Sequence, residues 1–432
     1  MRPGEHEVRP PRMQTADLPA AFAAIPIPRR LIVPLSTRPP GEGTSAKSPE
    51  TRVTRGEPLA DNVPETAFVP LSPVNGRIVA TTRVDLMNGH RVAAVEIEVD
   101  PSDATANPGA ATEVSPESSD LATWIDRIRR AGIWAERRNG PDLLAQLHQA
   151  LRRPCDTVIC TALDGEDAAP LNASLARAYT AELIAGVQTI GRAAGASNRL
   201  VGVAMDAPPA DVNRLRRATS GDANLRVAPV PHGYPQTDPT LMLYTLLRRR
   251  LRPGRLAAEL GVILLDAPAA IAVGRLALRG EPMLNVPMAV RDVARSRTHL
   301  ITVTIGTPLW HVLEHLGANG DESIVPRAGD ALRDLPASRS AVVSGGELVA
   351  HIGYVTAAFN PDPCIRCGWC TAACPTRIHP AGLLEAAQRA DDALADRYGI
   401  DSCIECGVCS YVCPSRLPLL GAIRHMRGKV RT

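Results

Sequence analysis

The chain has 432 residues, a length that predicts about three domains, each large enough to bury a hydrophobic core. Its formal net charge is only +3 and aromatic residues make up 3% of it, which excludes the charge and the stacking surface that nucleic-acid binding requires. No run of about 18 apolar residues occurs and no apolar signal core follows the start, so we expect a cytoplasmic protein without a membrane span.

The first 120 residues fall into three segments of different composition. Residues 1–30 are rich in Pro, Ala and Arg without a sustained period, which predicts a disordered arm. Residues 31–100 carry short runs of alternating apolar residues between Gly and Pro turns, such as Gly76–Thr82 and Arg91–Val99, and these predict a small all-β domain. Residues 101–120 have the polar, Pro- and Ser-containing composition of a linker.

Strand and helix patterns alternate across residues 121–295. Apolar β-type runs occur at Asp156–Thr161, Arg199–Ala204 and Val262–Leu265, and helix-period segments separate them, the longest at Asn172–Ala194. This alternation predicts an α/β domain with a largely parallel, Rossmann-like sheet. Its ligand would lie beyond the carboxyl ends of the strands.

Residues 296–352 outline a small α+β unit. A strand is predicted at Thr298–Ile305, a helix at Pro308–Leu316 and a further β-type run at Ala341–Gly346. The unit separates the α/β domain from the cysteine-rich end of the chain.

Two of the ten cysteines, Cys155 and Cys160, lie at the edge of a β-type run. Their position predicts buried, small hydrophobic side chains, and a redox-active pair is the alternative.

The other eight cysteines form one motif written twice. The pattern Cys-x2-Cys-x2-Cys-x3-Cys-Pro covers residues 364–375 and again residues 403–414. Three cysteines at every third position can turn their sulfurs onto one small object, whereas the fourth, followed by a proline, points elsewhere. In two-cluster ferredoxins that fourth thiolate ligates the other cluster.

The doubled motif therefore predicts two 4Fe-4S clusters with crossed ligand sets. The first cluster would be held by Cys364, Cys367, Cys370 and Cys413. The second would be held by Cys403, Cys406, Cys409 and Cys374. These eight residues are expected to be ligands, and the sequence predicts no acid–base catalyst.

Two other uses of these cysteines fit their spacing less well. Structural zinc takes two separate Cys-x2-Cys pairs around one tetrahedron, and four thiols within eleven residues do not divide that way. A disulfide framework is typical of small secreted chains, whereas thiolate ligation belongs in a reducing compartment.

The segment between the two motifs, Pro380–Gly399, has apolar residues at three- and four-residue steps, Pro at its start and Gly at its end. This pattern predicts one amphipathic helix. Residues 353–432 would then form a mostly helical, two-cluster ferredoxin-like domain.

The order of these parts resembles the C subunit of the Rnf electron transport complex. The resemblance covers roughly residues 30–425. Besides the paired cysteine motifs, it rests on Val53–Ala60, Ala131–Ile133, Tyr234–Gln236, Ile305–Pro308 and Ser344–Gly346.

The resemblance implies a fold and a function. In that family the α/β domain is similar to the NADH- and FMN-binding subunit of respiratory complex I, and a β-grasp, soluble-ligand-binding domain follows it. The complex moves electrons between NADH and ferredoxin and couples this to ion pumping by integral-membrane subunits. The expected fold is a multidomain α/β protein with an all-β N-terminal domain, a β-grasp insertion at residues 296–352 and the two-cluster module.

The α/β domain departs from the family where the flavin would bind. There the family has a glycine-rich loop after Ala-Gly-Ile, whereas this chain continues Trp134-Ala-Glu-Arg-Arg-Asn-Gly140. A tryptophan and a glutamate in place of glycines would fill the phosphate site and repel its charge, although Arg137 and Arg138 could supply compensating charge. We therefore expect a degenerate site that retains no FMN and does not oxidise NADH.

The acidic, flavin-side segment of the family is also replaced. Asp164, Glu166 and Asp167 keep its acidic character, and we interpret them as a solvated loop at the end of a strand, with a nucleotide contact as the alternative.

The leading hypothesis is a peripheral electron-transfer subunit at the cytoplasmic face of the inner membrane, bound to integral-membrane and other redox subunits of an Rnf-like complex. It would exchange electrons with ferredoxin or a similar carrier. The alternative is a stand-alone iron–sulfur adaptor or reductase, similar to cobalamin reductases or quinone-linked relays, in which the α/β domain is a docking scaffold without an NADH site.

Overall fold

The computed structural model describes residues 22–37, 44–101, 120–165, 169–231, 233–318, 324–354 and 360–430. Most of the predicted arm and linker therefore lies outside the described residues. Within them the chain forms four sheets flanked by helices and ends in a helical module. This mixed α/β architecture is the one that the sequence predicts.

The first part of the chain is built from strands, as its alternating pattern predicts. Their bounds are β1 (Ala23–Ala24), β2 (Arg30–Pro34), β3 (Ser45–Ala46), β4 (Arg52–Val53), β5 (Ala60–Asp61), β6 (Gly76–Asp85) and β7 (Arg91–Val99). An antiparallel sheet has the order β2-β7-β6-β4, and β3 pairs with β5. Leu31 and Val33 of β2 are buried and, being two residues apart, lie on the same face, so one face of this sheet packs inward.

Helices surround a parallel sheet in the middle of the chain. The elements are α1 (Leu121–Arg130), α2 (Leu143–Arg152), β8 (Thr157–Thr161), α3 (Leu171–Ala178), α4 (Thr180–Ala193), β9 (Asn198–Ala204), α5 (Pro209–Thr219), β10 (Leu225–Val230), α6 (Pro239–Leu247), β11 (Val262–Asp266) and α7 (Ala267–Arg279). The strand order is β10-β9-β8-β11, and every neighbouring pair is parallel. Every residue of β8 and β11 is buried, because helices cover both faces.

The predicted long helix at 172–194 is two helices, because the chain breaks at Tyr179 between α3 and α4. Helix α4 lies against α7 at two glycines. A Cβ atom on Gly186 would collide with the Ala270 carbonyl oxygen, and one on Gly274 with the Glu182 carbonyl oxygen. The two backbones therefore approach more closely than any larger residue would allow.

The small unit after the α/β domain is larger than the sequence predicts. Its elements are β12 (Asn285–Asp292), β13 (Arg297–Thr304), α8 (Leu309–His315), β14 (Ile324–Ala328), β15 (Leu335–Pro336) and β16 (Val349–Tyr354). They form a mixed sheet in the order β1-β13-β12-β16-β14-β15.

Two expectations for this region differ from the observed strand pairing. The predicted boundary at 295/296 falls within the β12–β13 hairpin, so β12 pairs with a strand on the other side of that boundary. The β-type run at 341–346 is not a sheet strand, since Val342 only makes isolated bridges to Leu86 and Pro308. Part of the predicted arm, β1, pairs with β13 and is ordered by it.

The C-terminal module is helical, as predicted. Its helices are α9 (Trp369–Ala372), α10 (Pro380–Arg389), α11 (Asp392–Arg397), α12 (Val408–Tyr411) and α13 (Leu419–Val430). The single helix predicted over 380–399 is wrong, because the chain turns at Ala390, which has a φ of 51°. Asp391 then starts α11 by accepting a hydrogen bond from the Leu394 N–H, so a local capping signal overrides the helical period.

Several apolar clusters hold these parts together. The largest joins the N-terminal strands, the α/β domain and the small sheet, a second lies within the α/β domain, and the C-terminal module has a core of its own. The module attaches through a further cluster that combines Tyr234 with Ile404, Cys406 and Val408 of the second cysteine motif. No helix in the described residues is both long and apolar enough to cross a membrane.

Candidate iron–sulfur site

The first predicted set of cysteines surrounds one surface depression. Cys364, Cys367 and Cys370 line it together with Cys413, which is the fourth cysteine of the other motif. Residues of α10 and the segment that follows Cys413 form its other walls. The structure thus brings together the four residues that the sequence assigns to the first cluster.

The second predicted set lies deeper. Cys403, Cys406 and Cys409 are buried, and Cys374 of the first motif is close enough for its charge to raise the pKa of all three thiols. Burial is the larger cause, and it raises the pKa of Cys406 to about 11 and that of Cys409 to about 12. A metal must displace these protons when it binds, because the thiolate is the ligand.

Backbone N–H groups point at the sulfurs of the second set. The Glu405 N–H donates to Cys403 Sγ at 3.3 Å. Backbone hydrogen bonds from Val408 and Ser410 likewise favour the thiolates of Cys406 and Cys409. Such donors stabilise negative charge on a cluster and its ligands, so this loop fits an iron–sulfur group.

The cysteines of the described residues do not surround one shared point, as the ligands of a single metal ion would. Among the described residues, no three His, Cys, Asp or Glu side chains converge as the ligands of a single metal ion do. A 4Fe-4S cluster does not require such convergence, because each thiolate binds a different iron at a different corner.

Both motifs share an unusual backbone. Arg366 and Glu405 occupy equivalent positions, and each has a left-handed φ, 57° and 51° respectively. The glycines two residues later, Gly368 and Gly407, are left-handed as well, at 78° and 81°. Left-handed non-glycine residues cost on the order of 1–2 kcal/mol each, so the repetition indicates that the site dictates the shape of the loop.

The second motif is held by an ionic and polar network that the sequence did not reveal. Glu405 pairs with Arg427 at 2.6 Å, with Arg424 at 3.4 Å and with Arg138 of the α/β domain at 3.8 Å. The Tyr234 hydroxyl donates to the Cys406 carbonyl oxygen at 2.5 Å. These partners are far apart in sequence, and although the sequence singled out Arg138 and Tyr234, no pattern connected either residue with the second motif.

The loop expected to replace a phosphate-binding loop packs against neighbouring parts of the chain. Trp134 is 3% exposed, stacks on Phe68 with ring centroids 5.0 Å apart and contacts Gly345 and Gly346. The sequence predicted that this tryptophan fills a phosphate site, whereas in the structure it packs against neighbouring parts of the chain. Among the described residues its Nε1 has no hydrogen-bond partner, so it is held by apolar contact.

The two arginines of this loop are committed to carboxylates. Arg137 forms a two-pronged, buried ion pair with Asp266, with Nε and Nη2 at 2.5 and 2.6 Å from the carboxylate oxygens, and also donates to the Gly345 carbonyl. Arg138 lies 3.8 Å from Asp238. Because these carboxylates neutralise the cations, the described residues at this edge do not fit a flavin phosphate.

The acidic segment after β8 is less solvated than expected. Asp164 accepts hydrogen bonds from the N–H groups of Asn172 and Ala173, so it caps the start of α3. Burial raises the pKa of Asp164 to about 6. Glu166 and Asp167 lie outside the described residues.

Cys155 and Cys160 are free thiols that are 2% and 0% exposed, which confirms their interpretation as buried hydrophobic side chains. Burial raises the pKa of both thiols, that of Cys155 to about 11, so neither is poised to react.

Two family models match parts of this chain. One, described as a 4Fe-4S dicluster domain, matches residues 356–414. The other, described as the Nuo51 FMN-binding domain, matches residues 128–275. The first supports iron–sulfur clusters in the module, and the second shows that part of the α/β domain is similar to an FMN-binding domain.

Curated relatives match nearly the whole chain. The C subunit of the ion-translocating oxidoreductase complex of Edwardsiella ictaluri is 26% identical, over 98% of this chain and 53% of that protein. The C subunits from Yersinia enterocolitica and Cronobacter sakazakii are each 26% identical, over 98% and 90% of this chain and 61% and 50% of their own lengths. The resemblance predicted from the sequence is confirmed, and this chain spans about half the length of the curated relatives it matches.

Among solved structures, chains of the NAD+-reducing NiFe-hydrogenase are remotely similar. The H2-reduced form is 15% identical with a TM-score of 0.45, covering 72% of this chain and 55% of that chain. The air-oxidised form is 16% identical with a TM-score of 0.43, covering 74% of this chain and 59% of that chain.

Proposed function

We propose that this relative of the Rnf-type C subunits is an electron-transfer protein of an ion-translocating oxidoreductase complex, which relays electrons through two 4Fe-4S clusters. The observation that carries the proposal is the crossed grouping of eight cysteines, in which Cys413 lies with the first motif and Cys374 with the second. A bound 4Fe-4S cluster supplies reversible one-electron transfer.

The roles of individual residues follow from this proposal. Cys364, Cys367, Cys370 and Cys413 hold the first cluster, and Cys403, Cys406, Cys409 and Cys374 hold the second. The N–H groups of Glu405, Val408 and Ser410 stabilise the thiolates of the second set. Arg427 donates to the Cys403 carbonyl at 3.0 Å, so it fixes the loop that presents these thiolates.

We assign the domains in accordance with the family. The N-terminal strands form a barrel-sandwich-like domain, and the parallel sheet with its helices is a Rossmann-like domain of the complex I NADH- and FMN-binding type. The mixed sheet around α8 is a β-grasp domain. The C-terminal helices form the two-cluster, ferredoxin-like domain.

The partners we propose are integral-membrane and other redox subunits of an Rnf-type, ion-translocating complex, together with ferredoxin or a similar carrier. The chain would then bind peripherally at the cytoplasmic face of the inner membrane. The names of the curated relatives support membership of such a complex.

We also propose that the chain by itself neither retains FMN nor oxidises NADH. The paired arginines support this, because Arg137 and Arg138 both face carboxylates instead of an open phosphate site. The same observation favours the second candidate, a stand-alone iron–sulfur adaptor or reductase whose α/β domain is a scaffold. Co-purification with integral-membrane subunits supports the first candidate, and isolation without them under gentle detergent extraction supports the second.

The number of electrons that each chain can store tests the proposal directly. Anaerobically purified protein is reduced with dithionite, freed of excess reductant and titrated with a one-electron acceptor. Two clusters predict about two electrons per chain. A chain that stores none, or that contains zinc in place of iron, would contradict a relay function.

A further inference from the structure

The cluster module is a duplicated unit, so its two halves can be compared position by position. Each residue of the first motif has its counterpart 39 positions later, as Cys364 has Cys403. The same offset relates the starts of α9 and α12 and those of α10 and α13. The left-handed backbone at Arg366 and Glu405 extends the equivalence to local conformation.

In the second half, one face of the motif is covered by the rest of the chain. Ile404 is 3% exposed and Val408 is 2% exposed. Both pack in a cluster with Tyr234 and Leu332 from outside the module. At Gly407 the Leu332 carbonyl oxygen comes so close that no side chain would fit.

In the first half the equivalent face is open. Ile365, the counterpart of Ile404, is 67% exposed, and Trp369, the counterpart of Val408, is 55% exposed. A Cβ atom added to Gly368, the counterpart of Gly407, would meet no atom within 4 Å. A large aromatic and a large aliphatic side chain thus face solvent where their counterparts are buried by protein, a feature typical of interaction sites.

The charges on the two faces are opposite. Glu405 is surrounded by arginines, whereas the counterpart Arg366 is exposed and forms no ion pair within the part of the chain that the structure describes. By analogy with the covered half, the surface that fits Arg366 carries carboxylates. Cys364 and Cys367 are themselves exposed beside it, so a partner seated there lies next to the first set of cysteines.

We propose that Ile365, Arg366 and Trp369, the first-motif face, form the docking site of an acidic redox protein. The inference rests on the proposed relay function and adds where the partner binds and what its surface is like. A protein fits better than a lipid surface, because the equivalent face is already covered by folded protein whose backbone approaches Gly407 closely. An aromatic anchor and an arginine are also the side chains that most often dominate protein interfaces.

The test measures binding of a purified acidic ferredoxin to the anaerobic holoprotein, by calorimetry at low and at moderate salt. Arg366→Glu reverses the charge without straining the backbone, because the counterpart at the same left-handed conformation is a glutamate. We expect this variant to bind about tenfold more weakly or worse at low salt, and Trp369→Ala to lose about tenfold at both salts.

Matched controls come from equally exposed positions elsewhere. Arg217→Glu on α5 makes the same charge change, and Leu278→Ala on α7 removes an apolar side chain that is 47% exposed. Both should bind the ferredoxin within about twofold of the parent protein. Iron content and dithionite reduction of every sample establish that the clusters are intact.

Three outcomes would overturn the docking site: no binding by the parent protein, equal binding by all variants, or loss of binding in the controls. Trp369-dependent binding to vesicles containing anionic phosphatidylglycerol, or Trp369-dependent dimers in sedimentation, would assign the face to a membrane or to a second copy instead. A different result would contradict the proposed relay function, namely that the parent protein holds no reducible clusters.

Discussion

Glu347 is a half-buried carboxylic acid just before β16, near Asp330 and Arg333. Burial raises its pKa to about 7, with a further contribution from the Asp330 carboxylate. The folded chain therefore retains a proton that the unfolded chain has lost. The stability that this proton confers is present at acidic pH and disappears as the pH rises from about 4.5 towards about 7.

We expect Glu347→Gln to raise the Tm of the anaerobic holoprotein, and to raise it by more at pH 8.5 than at pH 5.5, because the parent loses stability progressively between these two values. The amide oxygen can still accept the N–H groups of Leu348 and Val349, so only the charge is lost. Calorimetry across this pH range gives the comparison. The exposed Glu314→Gln is the control, and two parallel curves for Glu347→Gln and the parent protein would rule out the assigned pKa.

Tyr234 contacts the second motif through apolar packing and through one hydrogen bond from its hydroxyl. Tyr234→Phe leaves the buried Cys406 carbonyl without its donor, so we expect the free energy of unfolding to fall by about 1–3 kcal/mol. Anaerobic denaturant titration measures the change. Tyr244→Phe removes a hydroxyl from a side chain that is 44% exposed and should be neutral; equal effects of the two substitutions would contradict a specific role for Tyr234.

At the scale of elements, the α4–α7 contact depends on its glycines. Gly274→Ala places a methyl group against the Glu182 carbonyl, and we expect a loss of about 1–3 kcal/mol from overpacking. Gly421→Ala on α13 has open space around it and should be neutral or stabilising, because alanine has the higher helix propensity. Thermal unfolding of both variants checks this, and a harmless Gly274→Ala would mean that the helices can separate at little cost.

The same scale shows what local sequence can and cannot predict. The parallel strands were predictable, because they are continuous apolar runs buried on both faces. The break at Ala390 was not, since the apolar period continues across it and only the capping carboxylate of Asp391 marks it. The sequence prediction placed β12 with the α/β domain, because the pattern of β12 does not show that it pairs with the strand that follows it.

At the candidate site, too, the sequence predicted some features and not others. Residue spacing predicts the two ligand sets, and the four cysteines of the first predicted set line one depression in the structure. The partners Arg138, Tyr234 and Arg427 are arranged by the fold, and no spacing rule connects them to Cys403 or Cys406. The exposure of the first motif is likewise a property of how the domains pack.

At the scale of the whole molecule, the altered loop predicts that the purified chain carries no flavin. The denatured protein should release no FMN, as measured by flavin fluorescence. NADH should not bleach the clusters of the native protein. Both results are expected because Arg137 is already paired with Asp266. Dithionite serves as the positive control for bleaching. Stoichiometric flavin with rapid NADH-dependent bleaching would restore an NADH-oxidising role.

The crossed grouping of cysteines is the central claim, and Cys413→Ala tests it most directly. Iron and acid-labile sulfide should fall from about eight to about four per chain, since one of two clusters is lost. Alkylation followed by mass spectrometry should then label Cys364, Cys367 and Cys370, which share the depression with Cys413, and should spare Cys403, Cys406 and Cys409. Labelling of the second motif instead would contradict the account.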